Sequence, residues 1–548
     1  MTKWFKSGAP WIWLTSGAVS VSLISVLGVL LLIGWKGLAY FWPAPLYQWQ
    51  DSQQQVLVGQ IYQVDSIALD RVVDAENKLP PEVLAQGKVE RLSIKIANRD
   101  RYSADFISLL APELSEPTQP RDWAVIERTH SGDFFARPIG YRDQQGLTNA
   151  ELIPLLRQGM QRVTVLREQM QTISENRLRS YASALETLRL DKRKYELSGK
   201  LSQEYLQGYQ QRYQALIALS EAAESELDAL RVELQAESLV VQDMRGEVIR
   251  LPMGQVLDVW FPNQMSFGQK LGHWFKQLGK FLSDSPREGN SEGGVFPAIF
   301  GTVFLVMVMS IVVMPLGVIA AIYLNEYAKN NALTRLIRIA VINLAGVPSI
   351  VYGVFGLGFF VYTIGGSMDS LFYSERLPTP TFGTPGLLWS ALTLALLTLP
   401  VVIVATEEGL TRIPSSVRQG SLALGATQFE TLWRIVLPMA SPAIMTGLIL
   451  AVARAAGEVA PLMLVGVVKL APSLPIDGQF PFVHLDRKFM HLGFHIYDVG
   501  FQTPNIEAAR PLVYATSFLL VTVIVGLNLT AIGIRNNLRE KYRTLGQD

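Results

Sequence analysis

Residues 435–468 read IVLPMASPAIMTGLILAVARAAGEVAPLMLVGVV, and this stretch determines how the rest of the chain is interpreted. Arg454 and Glu458 are the two charged residues within it. A helix that crosses the hydrocarbon core of a bilayer needs about 20 mostly apolar residues. We therefore predict a membrane-spanning helix that contains an ion pair.

Other stretches without charge lie on both sides of it. They are Trp11–Gly34, Val295–Leu324, Ile339–Met368, Leu377–Thr406 and Pro511–Ile534. Uninterrupted apolar runs of this length are typical of transmembrane helices rather than of a soluble core. The first run continues into an aromatic collar within residues 35–42, which favours a retained anchor over a cleaved signal peptide. The predicted fold is an all-α transmembrane bundle with six spans.

The distribution of Lys and Arg predicts the orientation of these spans. Basic residues cluster at the segments expected on the inside, including Lys3, Lys6, Arg535, Arg539, Lys541 and Arg543. Both termini are then cytoplasmic and residues 44–290 periplasmic. We expect residues 1–43 to form an N-terminal anchor, 291–536 a core with the other five spans, and 537–548 a cytoplasmic tail.

The external segment consists of two parts with different sequence patterns. Residues 44–150 contain strand-like pieces between turn residues, which indicates a small α/β or β unit. Residues 155–245 carry apolar residues at helical intervals, with a turn expected at Ser198 and Gly199, so we predict a helical hairpin. This periplasmic α/β and hairpin domain is either an arm that contacts a partner or an insertion that packs only on itself.

Several classes of function find no support in the composition. The net charge of +1 and the lack of a long basic run argue against nucleic acid. The chain has no cysteine, hence no thiolate site. His491 and His495 are one helical turn apart but lack a further ligand cluster, so we expect no metal. We predict no catalytic residues and no cofactor in this chain, which has no Gly-x-x-x-x-Gly-Lys-Ser/Thr motif for ATP.

The segment before the quoted span has a distinctive spacing. Gln419-Gly420-Ser421 is followed by Gly425, and Ile435-Val436-Leu437-Pro438 begins ten residues after that glycine. Ser415 or Ser416 can cap a first helix, and Gly425 is suited to a left-handed turn. A second helix is expected from Thr427 to about Ile435, so the loop forms a compact knob.

This spacing resembles the EAA loop of ABC importer permeases, although Gln419-Gly420-Ser421 replaces the Glu-Ala-Ala triplet. The resemblance implies that the loop inserts into a separate ATPase subunit, which uses ATP and Mg²⁺. Glu407, Glu408 and Glu430 are candidates to replace the missing carboxylate. The residues implied in ATPase coupling are Gln419, Gly420, Ser421, Gly425, Ile435, Leu437 and Pro438.

Three further segments sharpen the resemblance: residues 293–327, residues 343–353 and the ARAAGEVAPL motif at 453–462. Over residues 293–535 the chain is similar to A-type permease subunits of phosphate-specific ABC transport systems (PstA type). The resemblance implies a type I ABC importer permease fold in the bacterial inner membrane. The implied partners are membrane lipid, a second homologous permease, two ATPase subunits and a periplasmic phosphate-binding protein.

Arg454 is the residue that most directly suggests a substrate path. A charge inside a membrane is costly and usually faces a bundle interior or a water-filled pathway. Its guanidinium group fits two phosphate oxygens, and Glu458 can hold it from the same helix face. The alternative is a fixed ion pair that only locks spans together.

Asn343, Ser349 and Tyr352 add hydrogen-bonding groups to an apolar span. Gly346-Val347-Pro348 is expected to loosen that helix, which is tolerated where helices line a cavity. Small residues of this kind also simply permit close packing, so both interpretations stay open.

Two other functions compete with phosphate import. One is import of another oxyanion, such as molybdate, sulfate or phosphonate. The other is a membrane sensor or scaffold in which residues 155–245 carry the activity.

Overall fold

The computed structural model describes residues 9–51, 54–71, 87–102, 104–143, 146–148, 152–290, 292–503 and 506–544. The chain forms two compact units, of which one is Phe41–Phe281. The other combines the N-terminal helix with the chain from Leu282 onward. The predicted flanking residues Lys3 and Lys6 and the last four residues of the predicted tail lie outside the described residues.

Helix α1 (Ala9–Ala39) carries the first apolar run. Most of its side chains are exposed, as expected for a helix surrounded by lipid. Near its end, a Cβ atom added at Gly37 would lie 2.9 Å from the Cα atom of Ala515. Glycine thus allows the backbones of the first and last helices to approach closely, and α1 is part of the bundle.

The strands of the Phe41–Phe281 unit form two antiparallel sheets. The first has the order β1-β2-β3-β4 and consists of Tyr47–Gln50, Val56–Ala68, Lys88–Lys95 and Phe106–Leu110. The second has the order β10-β5-β6-β8-β9, with β7 paired to β6. Its strands β5 to β10 are Ala124–Arg128, Phe134–Asp143, Gly146–Thr148, Ser238–Gln242, Val248–Pro252 and Val256–Trp260. A one-turn helix at Arg99–Tyr102 lies between β3 and β4.

The helical hairpin is built from three helices and a π-helical turn. These are α2 (Leu152–Thr172), the turn Ile173–Leu178, α3 (Arg179–Leu197) and α4 (Gln203–Ala236). The reversal follows Leu197, and Gly199 there has a φ of 67°. The predicted hairpin extended to residue 245, but Ser238–Gln242 is β8, which pairs with β6. The amphipathic helix α5 (Phe267–Ser283) follows the second sheet.

The rest of the chain is mainly helical. The short strands β11 (Pro286–Arg287) and β12 (Glu292–Gly293) precede it. The helices α6 to α16 are Phe296–Ile322, Ala332–Leu344, Ser349–Phe355, Gly366–Phe372, Leu387–Thr411, Ser415–Ala423, Gln428–Thr431, Leu437–Gly457, Leu462–Val465, Leu492–Phe501 and Ile506–Thr544. π-Helical segments continue three of them at Tyr323–Tyr327, Gly356–Gly365 and Leu432–Val436.

Six helical segments of the described chain are long and apolar enough to span a membrane. They are Trp11–Ala39, Phe296–Tyr327, Ser349–Phe372, Leu387–Thr411, Gln428–Gly457 and Ala509–Asn537. The prediction of six spans is confirmed, and the chain is a multi-pass membrane protein. Buried apolar side chains from different spans form the core of the bundle, including Leu305, Met309, Leu394, Val402 and Ala455.

Three predicted boundaries differ from the structure. The third span begins at Ser349, because residues 345–348 separate it from α7. The fourth begins at Leu387 rather than at residue 377, and the fifth helix ends at Gly457. In each case the predicted run includes an apolar segment outside the span, since apolar composition does not by itself distinguish a helix from a loop.

Candidate functional site

Arg454 lies in the last turn of α13, and Glu458 directly follows the helix in an extended conformation. The Nε atom of Arg454 is 3.6 Å from Oε1 of Glu458, so the predicted pair forms. It does not form along one helix face, because the helix has already ended. The side chains are 32% and 21% exposed. The guanidinium group is therefore accessible at the end of a membrane helix.

The third span packs against the segment that follows this pair. A Cβ atom added at Gly353 would lie 2.7 Å from the Cα atom of Pro461, so any larger residue would push the two segments apart. The neighbouring Tyr352 is buried, and its hydroxyl group donates a hydrogen bond to the carbonyl oxygen of Leu344 at 2.5 Å.

Asn343 and Ser349 are placed differently from Tyr352. Asn343 is exposed near the end of α7, and Ser349 is half-buried at the start of α8. Among the contacts of the described residues, neither side chain joins Arg454. The Gly346–Pro348 segment interrupts the helix between them, as its sequence predicted. Of these three residues, Tyr352 is the one that adjoins Gly353, which packs against the segment that follows Arg454 and Glu458.

The loop between α10 and α13 folds as two short helices, α11 and α12. Gly425 lies between them with a φ of 89°, the left-handed conformation that was predicted. The hydroxyl groups of Ser421 and Thr431 are 2.9 Å apart and join the two helices. Thr427 caps α12 through a capping box with Glu430. This compact knob agrees with the helix, turn and helix predicted from the spacing.

Two details of the loop were predicted wrongly. Pro414, not Ser415 or Ser416, occupies the position before α11, and no side chain caps that helix. The second helix does not stop near Ile435 either. It continues through the π-helical segment Leu432–Val436 into α13, with Pro438 in the first turn of α13. Consequently the knob is joined to the helix of Arg454 without an intervening loop.

The tip of the knob is apolar, which the sequence analysis missed. Leu424 is 92% exposed, and the rings of Phe429 and Trp433 stack at 6.3 Å on the surface. Gln419 and Gly420 are also exposed, whereas Ser421 is buried and Ile435, Leu437 and Pro438 are half-buried. The signal that could have revealed the tip is the presence of large apolar residues in helices too short to bury them.

The sequence of the membrane part of the chain is similar to that of known transport proteins. Residues 313–543 match the family described as "Binding-protein-dependent transport system inner membrane component". The chain is 33% identical over 244 residues to "Phosphate transport system permease protein PstA 1" of Mycobacterium tuberculosis, an alignment that covers 44% of this chain and 71% of that protein. This chain belongs to the PstA family of permeases.

A second relative and a solved structure are also similar. The "Probable ABC transporter permease protein YqgI" of Bacillus subtilis is 30% identical over 244 residues, with 44% of this chain and 76% of that protein covered. The inward-facing MetNI methionine ABC transporter covers 45% of this chain and 94% of its own, at 18% identity and a TM-score of 0.32. The family match does not include the Phe41–Phe281 unit of this PstA-family permease.

The carboxylates near the knob have partners of their own. Glu407 pairs with Arg338 at 2.9 Å, and Glu430 is engaged in the capping box with Thr427. Glu408 is 66% exposed, and its distance to Arg412 is 3.9 Å. Of the three carboxylates considered as replacements for the missing acidic residue, Glu408 is therefore the most available to a partner chain.

His491 and His495 are both buried. Nδ1 of His491 accepts a hydrogen bond from the backbone N–H of Gly493, and burial lowers the pKa of both histidines to about 4. The nearby Asp498 pairs with Lys469 at 3.1 Å. Among the described residues of this PstA-family permease, no group of three or more His, Asp or Glu side chains is arranged to hold a metal.

Proposed function

We propose that this chain is the membrane-spanning permease subunit of an ATP-driven importer of inorganic phosphate. The observation that carries the proposal is its similarity to PstA proteins, whose name describes a phosphate transport system. The alignments cover 71% of the length of the M. tuberculosis PstA 1 protein and 76% of the length of YqgI. The accessible arginine at the end of a span provides the matching chemistry, since a guanidinium group binds phosphate oxygens well.

In this proposal Arg454 meets phosphate during its passage. The pair with Glu458 is long and partly exposed, so the carboxylate holds the guanidinium group without occupying all its donors. Glu458 competes with the anion and thereby helps it to leave. Tyr352, which adjoins the glycine that packs on the segment after Glu458, is proposed to line the same path, and roles for Asn343 and Ser349 in it also stay predictions.

The knob at residues 415–438 is proposed to dock on a separate ATPase subunit. That subunit, rather than this chain, would bind ATP and Mg²⁺. The exposed Leu424 and the Phe429–Trp433 pair form the apolar contact. Because the helix is continuous from the knob into α13, a movement imposed on the knob reaches Arg454 directly.

The assembly inferred for the importer contains this chain, a second homologous permease, two ATPase subunits and a soluble phosphate-binding protein. The membrane is the bacterial inner membrane, with both termini in the cytoplasm and residues 44–290 in the periplasm. The orientation is based on the distribution of Lys and Arg around the spans.

The decisive test is uptake of radiolabelled phosphate. Cells that lack their own high-affinity phosphate permease would express this chain with its partner permease, ATPase and binding protein. We expect ATP-dependent uptake that excess phosphate blocks and that sulfate, molybdate and phosphonate leave unchanged. Blockage by one of these other anions would show that the importer also accepts that anion. An assembled complex without any phosphate uptake would contradict phosphate as the cargo and would indicate another oxyanion.

A second test concerns the knob alone. Leu424→Asp places a charge on the proposed ATPase contact, and Leu219→Asp in α4 is a matched control at another exposed leucine. We expect the first variant to lose phosphate-stimulated ATP hydrolysis while the second retains it. Equal activity of both variants would show that the tip does not contact the ATPase.

A further inference from the structure

Helix α5 exposes a row of large apolar side chains. Phe267, Leu271 and Phe275 follow one another at intervals of four residues, and their exposed fractions are 73%, 40% and 60%. Residues with this spacing lie on one face of a helix. We call these three residues the α5 stripe.

The opposite face fixes the helix to the Phe41–Phe281 unit. Lys276 binds Asp258 at 2.6 Å, and Lys280 binds Glu127 at 2.9 Å. The imidazole ring of His273 packs on the indole ring of Trp260, with 4.6 Å between the ring centroids. Since these contacts determine the rotation of the helix about its axis, the exposure of the stripe is a fixed feature of the unit.

Both ends of α5 contact residues that directly follow the first membrane span. The rings of Phe41 and Phe281 are 5.1 Å apart, and those of Trp42 and Phe267 are 5.8 Å apart. Phe41 is two residues beyond the end of α1 at Ala39, a separation of at most about 8 Å along the chain. The covalent chain therefore holds α5 at a membrane boundary.

We propose that α5 is an interfacial helix whose stripe inserts into the lipid surface beside the end of α1. Helices of this kind combine an apolar face with Lys-rich flanks and bury the apolar face about 5–10 Å into the boundary between headgroups and acyl chains. Lys270, which precedes Leu271 and is partly exposed, supplies such a flank, and its aliphatic stem can extend towards the headgroups.

Lipid is favoured over a protein partner because the stripe is continuous with a membrane span. The contacts of Phe267 with Trp42 and of Phe281 with Phe41 extend the aromatic collar of α1 along the helix. Aromatic residues are enriched at the level of the headgroups. A stripe that served a soluble partner would not need to begin at a residue that contacts the chain leaving the membrane, as Phe267 does at Trp42.

The test uses the absence of cysteine from the chain. The full chain with Phe275→Cys or Leu271→Cys would carry an environment-sensitive fluorophore and be reconstituted in nanodiscs of phosphatidylcholine and phosphatidylglycerol. The matched control is Leu219→Cys, at an exposed leucine of α4. Fluorescence quenching would be compared between a lipid with a shallow nitroxide group and aqueous iodide.

We expect the lipid nitroxide to quench both α5 probes several-fold more than it quenches the control, and iodide to quench the control preferentially. Preferential quenching of the α5 probes by iodide would show that the stripe faces water and would overturn the proposal. Protection from both quenchers would show that protein covers the stripe, which would also overturn it. Agreement between positions 271 and 275 distinguishes a lipid-facing stripe from a local contact.

Discussion

Arg418 lies in the knob and Arg454 in the last turn of α13, and the surroundings of these two arginines differ. The Nη atoms of Arg418 donate to Glu326 at 2.9 Å and to the carbonyl oxygens of Ile413 and Leu410 at 2.8 Å. Arg454 has a 3.6 Å pair with Glu458. The guanidinium group of Arg418 links the knob to the end of the second span. The guanidinium group of Arg454 keeps N–H donors that can bind another group. The comparison predicts that the first arginine holds structure and that the second is the one able to bind an anion.

Replacing Arg454 by Gln should have the largest effect on transport. Loss of a charge-assisted contact worth about 3 kcal/mol corresponds to about a 100-fold loss of phosphate uptake. The complex should still assemble, because Arg454 has few contacts to lose. Uptake and the amount of complex purified through a tagged ATPase would be measured together.

Arg454→Lys provides the control, since it retains the charge without the planar fork. We expect intermediate uptake from this variant. If the Gln variant lost assembly together with uptake, the pair with Glu458 would be a fixed structural contact, and the contrast with Arg418 would disappear.

The buried histidines His491 and His495 differ from both arginines, because the folded chain accommodates them only in their uncharged form. Burial lowers the pKa of His491 and His495 from about 6.5 to about 4, with Asp498 and Lys469 as charged neighbours of His495. The unfolded chain takes up these protons first, so stability is complete above about pH 6.5 and falls towards pH 4. Each shift corresponds to about 3 kcal/mol.

The apparent Tm in detergent should therefore fall as the pH decreases through this range. His495→Leu should reduce the fall, whereas replacement of the exposed His130 by Leu should leave it unchanged. Identical pH profiles for wild type and His495→Leu would show that His495 is not responsible for the acid sensitivity.

Replacing Arg418 by Gln should cost stability rather than phosphate affinity. The change leaves Glu326 and two carbonyl oxygens without their donor in a half-buried site, at a cost of about 2–3 kcal/mol. We expect a lower apparent Tm and an unchanged KM for phosphate. In a double-mutant cycle with Glu326→Gln, the two effects should be less than additive by about 1 kcal/mol. Full additivity would mean that the two side chains stabilise the fold independently.

The sequence predicted the spans well because the thickness of a bilayer imposes a strict length on apolar helices. It failed at segments that are apolar without being part of the span. Residues 459–468 follow the end of α13 at Gly457, and residues 377–386 precede α10. The hairpin boundary was wrong because β8 pairs with β6, a contact between residues far apart in sequence.

The candidate site likewise contains one feature that the sequence predicted and others that it could not predict. The Arg454–Glu458 pair was predictable because the residues are close in sequence and charged within an apolar run. The approach of Gly353 to Pro461 and the bond from Tyr352 to Leu344 depend on how separate helices pack. Sequence spacing contains no information about such contacts, and it suggested Asn343 and Ser349 as readily as Tyr352.

The smallest expected effect comes from Glu458→Gln. The direction of this effect is the closest test of the difference between Arg454 and Arg418. A partly exposed pair contributes up to about 1 kcal/mol, so removing the carboxylate charge should change the kinetics by about two- to five-fold. If Glu458 competes with phosphate for Arg454, the KM for phosphate should decrease because the arginine is freed. The maximal uptake rate should also decrease, because the anion leaves more slowly. Unchanged kinetics would mean that Glu458 does not restrain Arg454, and a loss of complex would mean that the pair resembles the structural contact of Arg418.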